Sequence, residues 1–124
     1  MQKDIENRKD IELLVNSFYT KVKTDPVIGH YFTKVIPVNW KKHLPVMYDF
    51  WETVLFYTGT YTGNPMLKHM AIHEMSHFTK NHFLQWTYIF NQTVDELFSG
   101  PNADAIKERA QNISAVMQIK ILKN

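Results

Sequence analysis

Six histidines in a chain of 124 residues are the first chemical signal: His30, His43, His69, His73, His77 and His82. A neutral imidazole offers a nitrogen lone pair near neutral pH, which makes histidine the commonest protein metal ligand. His69, His73 and His77 recur every four residues. On a continuous helix they would share one face, and such clustered histidines could hold zinc or nickel. Against this, the chain has no cysteine, and Glu74 is the one carboxylate close to the row. The alternative is a set of solvated histidines. A second arrangement is sharper. His69 follows a loop rich in Gly and Pro, and His43 stands at the N-terminal end of an apolar helix face. Tyr19 and Trp86 put polar-tipped rings on or beside otherwise apolar stripes. Buried rings of this kind need hydrogen-bond partners. Those partners are backbone carbonyls, or a ligand held between the helices.

The elements that must position these residues are helical. Asp10 reads as an N-cap, after which Ile11, Leu14, Val15, Phe18 and Val22 recur at helical spacing, with Tyr19 at the edge of that face. Asp25-Pro26 ends the helix, because the residue before a proline is pushed out of helical geometry. One short helix is expected over Pro26 to Lys34, carrying Ile28, Tyr31 and Phe32, and Val35 to Asn39 with Pro37 reads as a connector. A strong helix is expected from about Trp40 to Tyr57, its face made by His43, Met47, Phe50, Trp51, Val54 and Leu55. Thr58 to Pro65 is the clearest loop, and a short helix is expected from Met66 to about His73. Thr79 caps a long helix with Phe83, Trp86, Phe90, Val94 and Leu97 inward. Ser99-Gly100-Pro101 breaks it, and a last helix runs from about Asn102 to Leu122. No segment alternates with period two. The reading is an all-α single domain spanning residues 1–124.

Composition narrows the function. The hydrophobic fraction of 44% is too interrupted by charge for a membrane span. The net charge of +2 is small and the basic residues are scattered, so nucleic acid binding has no support. The N-terminal residues are polar, unlike a secretion signal, and a soluble cytoplasmic protein is the expectation. Without cysteine there is no disulfide and no thiolate chemistry. Aromatics make up 14% of the chain, which suits either an aromatic core or the lining of a large flat apolar ligand.

Several stretches, taken in order, resemble a known family. They are Phe18-Tyr19-Thr20-Lys21-Val22, Ile28-Gly29-His30-Tyr31-Phe32 and the run from His43-Leu44-Pro45 to Phe50-Trp51. The Gly63-Asn64-Pro65-Met66-Leu67-Lys68-His69 run follows, then His82-Phe83-Leu84-Gln85-Trp86 and Thr93 to Pro101. Together they resemble the group III truncated haemoglobins of bacteria over nearly the whole chain. The resemblance implies a two-over-two helical sandwich around haem b (iron protoporphyrin IX), with a shortened first helix and a loop-like proximal segment. It implies His69 as the proximal iron ligand, since the run that ends in His69 sets the register; a slip of one turn would give His73 that role instead. It puts Tyr19, His43 and Trp86 on the distal side, where gas binds, and Phe32 on the haem face. Met47, Tyr61 and Met66 are further cofactor-lining candidates, and Lys42, Lys68 and Tyr61 are candidate propionate partners. His30 has no assigned role.

The resemblance further implies binding of dioxygen, nitric oxide or carbon monoxide. Haem iron with one axial histidine leaves its opposite face open for a diatomic ligand. Donors from Tyr19 and Trp86 would slow dioxygen release, which suits chemistry such as nitric oxide detoxification or peroxide reactions better than oxygen transport. His43 could donate too, swing as a gate, bind the iron itself, or lie at the haem edge. Reactions of this kind need an external reductase, because the chain has no Gly-rich dinucleotide fingerprint.

Overall fold

The computed structural model describes residues 2–35, 38–59 and 61–122, apart from the side chains of residues 67, 74 and 75. Five α-helices follow one another: α1 (Arg8–Lys23), α2 (Trp40–Phe56), α3 (Pro65–Met75), α4 (Lys80–Leu97) and α5 (Pro101–Ile121). The described residues form no strand. Helix α1 packs on α2 and on α4, α4 packs on α5, and α2 also reaches α5. Two helices therefore lie over two, as expected, and α3 joins the layer of α5 at one side. None of the described helices is long and apolar enough to cross a membrane.

The apolar periodicity located the helix bodies and missed some ends. Helix α1 begins a turn before the expected cap: Asn7 is the N-cap, and its side chain accepts from the Asp10 backbone N–H at 3.2 Å. Its first turn is polar, so hydrophobic spacing cannot detect it. Asp10 instead turns its carboxylate to Lys3 Nζ and the Glu6 backbone N–H. The short helix expected over Pro26 to Lys34 is a turn followed by one π-type turn, Tyr31–Val35. The Asp25 carboxylate accepts from the Val27 and Ile28 N–H groups, which ends α1 without starting another α-helix. Ile36 and Pro37 of the expected connector, and Thr60 of the expected loop, lie outside the described residues. The segment carrying His69, expected to be loop-like, is not. It is eleven residues of helix, with Pro65 in the first turn, where its missing N–H is no loss.

Gly100 and Pro101 begin α5 as their order suggests, proline at the first helical position. Gly100 has φ +142°, and a Cβ there would meet the Asp4 carboxylate at 2.6–2.8 Å. That carboxylate accepts from the Asn102 and Ala103 N–H groups, so the N-terminal segment caps the last helix. The main core runs between the two layers. At its centre Phe18 and Phe90 are fully buried, and Trp51, Trp86 and Phe90 stack with centroids 4.6–6.2 Å apart. A smaller, separate cluster of Phe83, Met117 and Ile121, with Met66, Phe78, Ile113 and Leu122 against it, fills the space beside α3.

Histidines hold the turn between α3 and α4. His73 Nδ1 accepts from the Phe78 backbone N–H at 2.8 Å, and His82 Nδ1 accepts from the Thr79 backbone N–H at 2.9 Å. His82 thereby takes the part that Glu or Gln plays three residues after an N-cap. Only an unprotonated Nδ1 can accept. Burial, followed by the neighbouring His30, holds the His82 pKa below its ordinary value. The unfolded chain therefore binds this proton more readily than the folded one. The cap's contribution is complete above about pH 6.5 and is lost as pH falls through the folded value. Thermal unfolding followed from pH 7.5 to 5 should show a loss of stability that His82→Gln, which keeps an acceptor and cannot titrate, makes shallower. An equal slope in both proteins would show that the cap does not respond to pH.

Candidate functional site

Tyr19 comes from α1 one turn before its C-terminal end, one residue after a core Phe, and is buried to 7% exposure. Its position is more interior than the edge of the α1 stripe implied. The ring is held edge-on by Phe18, Phe32, Trp40 and His43, at centroid distances of 5.1–5.7 Å. Its hydroxyl makes no hydrogen bond among the described residues. Burial alone pushes its pKa up, so it remains a phenol and a donor. His43, one turn into α2, has a buried Nε2 with no hydrogen-bond partner among the described residues. Such an atom is costly unless something polar meets it. Burial, then Lys68, then His69 lower the His43 pKa, so the ring stays neutral at pH 7.

His69 lies in α3, and its Nδ1 is 2.7 Å from the Pro65 carbonyl oxygen, one turn back. A carbonyl can only accept, so Nδ1 carries the hydrogen and Nε2 presents its lone pair. Burial lowers the His69 pKa, the Pro65 hydrogen bond works against that, and Lys68 lowers it further. The result is a neutral, oriented imidazole, the form a metal-bound histidine takes when its other nitrogen donates to a carbonyl. His73, the alternative one turn on, uses Nδ1 to accept from Phe78 N–H, and its Nε2 faces His77 Nδ1 at 3.4 Å. Among the described residues no three His, Asp or Glu side chains converge to hold a metal ion, so the zinc or nickel reading has no geometric support.

The remaining candidates divide between the two clusters. Phe32 and Met47 pack with the main core near Tyr19 and His43. Trp86 belongs to the Trp51–Phe90 stack, and the Phe18 ring meets both Trp86 and Tyr19 edge-on. Met66 packs in the other cluster, with Phe83 and Met117. Tyr61 lies edge-on to Phe50 at 5.1 Å, and its backbone N–H donates to Thr53 Oγ1. Lys68 and Lys42 are exposed, and Lys68 is the one whose charge is felt at both His43 and His69. His30 lies against Tyr31 and His82, away from these residues. The sequence reading passed over Trp40. It stands one helical turn before His43 on α2, and that i, i+3 spacing was the available signal. The open grooves along the outer face of α4, lined by residues such as Tyr88 and Gln92 or Val27 and Leu84, share none of these side chains.

The arrangement is a neutral imidazole with an oriented lone pair, a second imidazole whose buried Nε2 lacks a partner among the described residues, and a phenol buried in the main apolar core. That donor set and its apolar walls suit a flat macrocycle with a central metal. The chain belongs to the bacterial-like globin family, whose model matches residues 3–119. Within that family it is similar to the group 3 truncated hemoglobin ctb of Campylobacter jejuni, at 28% identity over 120 residues, covering 94% of this chain and 92% of the relative. The crystal structure of the group III truncated hemoglobin from Campylobacter jejuni matches with a TM-score of 0.86 at 27% identity, covering 99% of this chain and 97% of that one. The group III truncated haemoglobin resemblance drawn from the sequence therefore holds, and so does the two-over-two fold. Globin membership brings the general function of the family, haem-based binding of small diatomic ligands such as dioxygen.

Proposed function

We propose that this chain binds haem b with His69 as the proximal ligand. We further propose that it works in the cytoplasm on dioxygen, nitric oxide or a related small ligand, in nitric oxide detoxification or peroxide reactions rather than bulk transport. The observation that carries the reading is the 2.7 Å hydrogen bond from His69 Nδ1 to the Pro65 carbonyl, which leaves Nε2 as a ready ligand. Phe32 and Met47 on one side, Met66 on the other and Tyr61 at the edge are the apolar wall. Lys68, with Lys42, is the cationic partner for the propionates. Bound haem would supply an iron able to take a small diatomic ligand, and any net reduction would draw electrons from a reductase outside this chain.

On the distal side, Tyr19 and Trp86 are donors to a ligand that gains negative charge, and His43 offers Nε2 to the same space or closes it. A hydrogen bond to a charged acceptor contributes about 1.5–3 kcal/mol. Two such donors favour retention and reaction of the ligand over its rapid release. The test is to titrate the haem-free protein with haem b and record the visible spectrum. An intense Soret band saturating at one haem per chain is expected. A featureless titration would overturn the reading, and zinc binding by the same protein would revive the histidine-cluster alternative.

A further inference from the structure

We propose that Trp40 is the positioning residue of the distal pocket and its gate, clamped shut by the ammonium of Lys23. The inference rests on the reading of Tyr19 and His43 as ligand-facing. Trp40 is the first residue of α2, and its indole meets two of the distal candidates, Tyr19 and His43, together with Phe32. It is edge-on to Tyr19 at 5.3 Å and to His43 at 5.6 Å, and stacked on Phe32 at 5.9 Å. Tyr19 in turn touches Phe32 and His43, so the four rings form one closed set with Trp40 as its member nearest the helix end.

What fixes that end of α2 is unusual. The N-cap, Asn39, makes no side-chain hydrogen bond to the helix. A helix start without a side-chain cap is less stable locally and frays more easily. The first turn is instead held by its tryptophan. Lys23, in the last turn of α1, places Nζ 4.0 Å from the centroid of the Trp40 ring. An ammonium over an indole face is a favourable electrostatic contact, and indole is the best aromatic partner for it. The clamp thus ties the C-terminal end of α1, which carries Tyr19, to the N-terminal end of α2, which carries His43. When it opens, Trp40 leaves with the first turn of α2. The cover over Tyr19 and over the unpartnered Nε2 of His43 leaves with it.

The clamp predicts an effect from Lys23, an exposed residue that touches no ligand. Lys23→Met keeps the aliphatic stem and removes the charge, while Lys23→Arg restores a cation. In the haem-free protein, acrylamide quenching of tryptophan emission should rise in Lys23→Met and stay at the parent level in Lys23→Arg. The rise should vanish when Trp40 is already Phe. In protein loaded with haem b, carbon monoxide association after photolysis should be about two- to tenfold faster in Lys23→Met, with dissociation unchanged and with Lys23→Arg near the parent. An unchanged association rate in Lys23→Met with a normal Soret band overturns the gate. Unchanged quenching overturns the clamp. Absence of any Soret band in the parent is a different failure: it sinks the haem reading, and the gate falls with it. Trp40→Leu is the stronger perturbation, and if it does not fold the lysine variants still decide the matter.

Discussion

His69→Ala is expected to abolish stable haem binding, while His73→Ala and His77→Ala retain it. The difference follows from what each ring is already doing. His69 has one nitrogen committed to the Pro65 carbonyl and the other available as a lone pair. His73 has its Nδ1 taken by the Phe78 N–H and its Nε2 turned to His77, within the turn that joins α3 to α4. Loss of the partner that merely orients a metal-bound histidine typically costs ten- to a hundredfold in affinity. Removal of the ligand itself should cost at least about a hundredfold on that scale, enough to leave free haem in a spin-column assay. His73→Ala is expected to lower thermal stability, because it leaves the Phe78 N–H without its acceptor. A parent-like Soret band in His69→Ala, with loss in His73→Ala, would move the proximal role one turn along α3. Addition of free imidazole is a useful control, since it should restore a ligated spectrum to a His69→Ala pocket that is otherwise intact.

Tyr19→Phe is the second large effect expected, a ten- to hundredfold rise in the dioxygen dissociation rate. A hydrogen bond to a charged oxygen is worth about 1.5–3 kcal/mol, and each 1.4 kcal/mol is a factor of ten. Carbon monoxide gains far less negative charge when bound, so its release should change much less. The phenol is buried and has no hydrogen-bond partner among the described residues, so its removal should not destabilise the haem-free fold. Stability measured beside kinetics therefore separates a ligand donor from a packing residue. Trp86→Phe should also speed dioxygen release, with an added loss of stability, because its indole stacks on Trp51 and Phe90. Parent dissociation rates in both variants would reduce the two residues to core packing. His43→Leu completes the set. A change in ligand entry without a change in release would mark His43 as part of the door rather than a donor.

Much of this was legible in the order of residues. The apolar stripes of α1, α2 and α4 are properties of single helices, and spacing along one helix is enough to find them. Asp25-Pro26 and Ser99-Gly100-Pro101 stop helices through local backbone sterics, which neighbouring sequence alone decides. The contact of His69 Nδ1 with the Pro65 carbonyl is local in the same way, since its partners lie four residues apart in one short helix, whereas the proximal role expected of His69 came from the family resemblance.

Other features depend on groups that are distant in sequence or that carry no apolar signal. The polar first turn of α1 is invisible to hydrophobic spacing, so its N-cap moved from Asp10 to Asn7. Tyr19 is fully interior because α2 and the turn carrying Phe32 fold over it, not because of its place on the α1 stripe. The Phe18 ring meets both Tyr19 and Trp86, and Met66 lies in a different cluster from Met47. Likewise His73 stood in a row that could have held a metal or simply been solvated, yet it and His82 accept backbone N–H groups in the turn between α3 and α4. The sequence by itself determined where the bodies of the long helices run and which face of each is apolar, since those follow from the chain's own 3.6-residue period. Only the tertiary structure decided which polar atoms were left without partners, because a partner supplied by another helix is a fact of packing rather than of spacing.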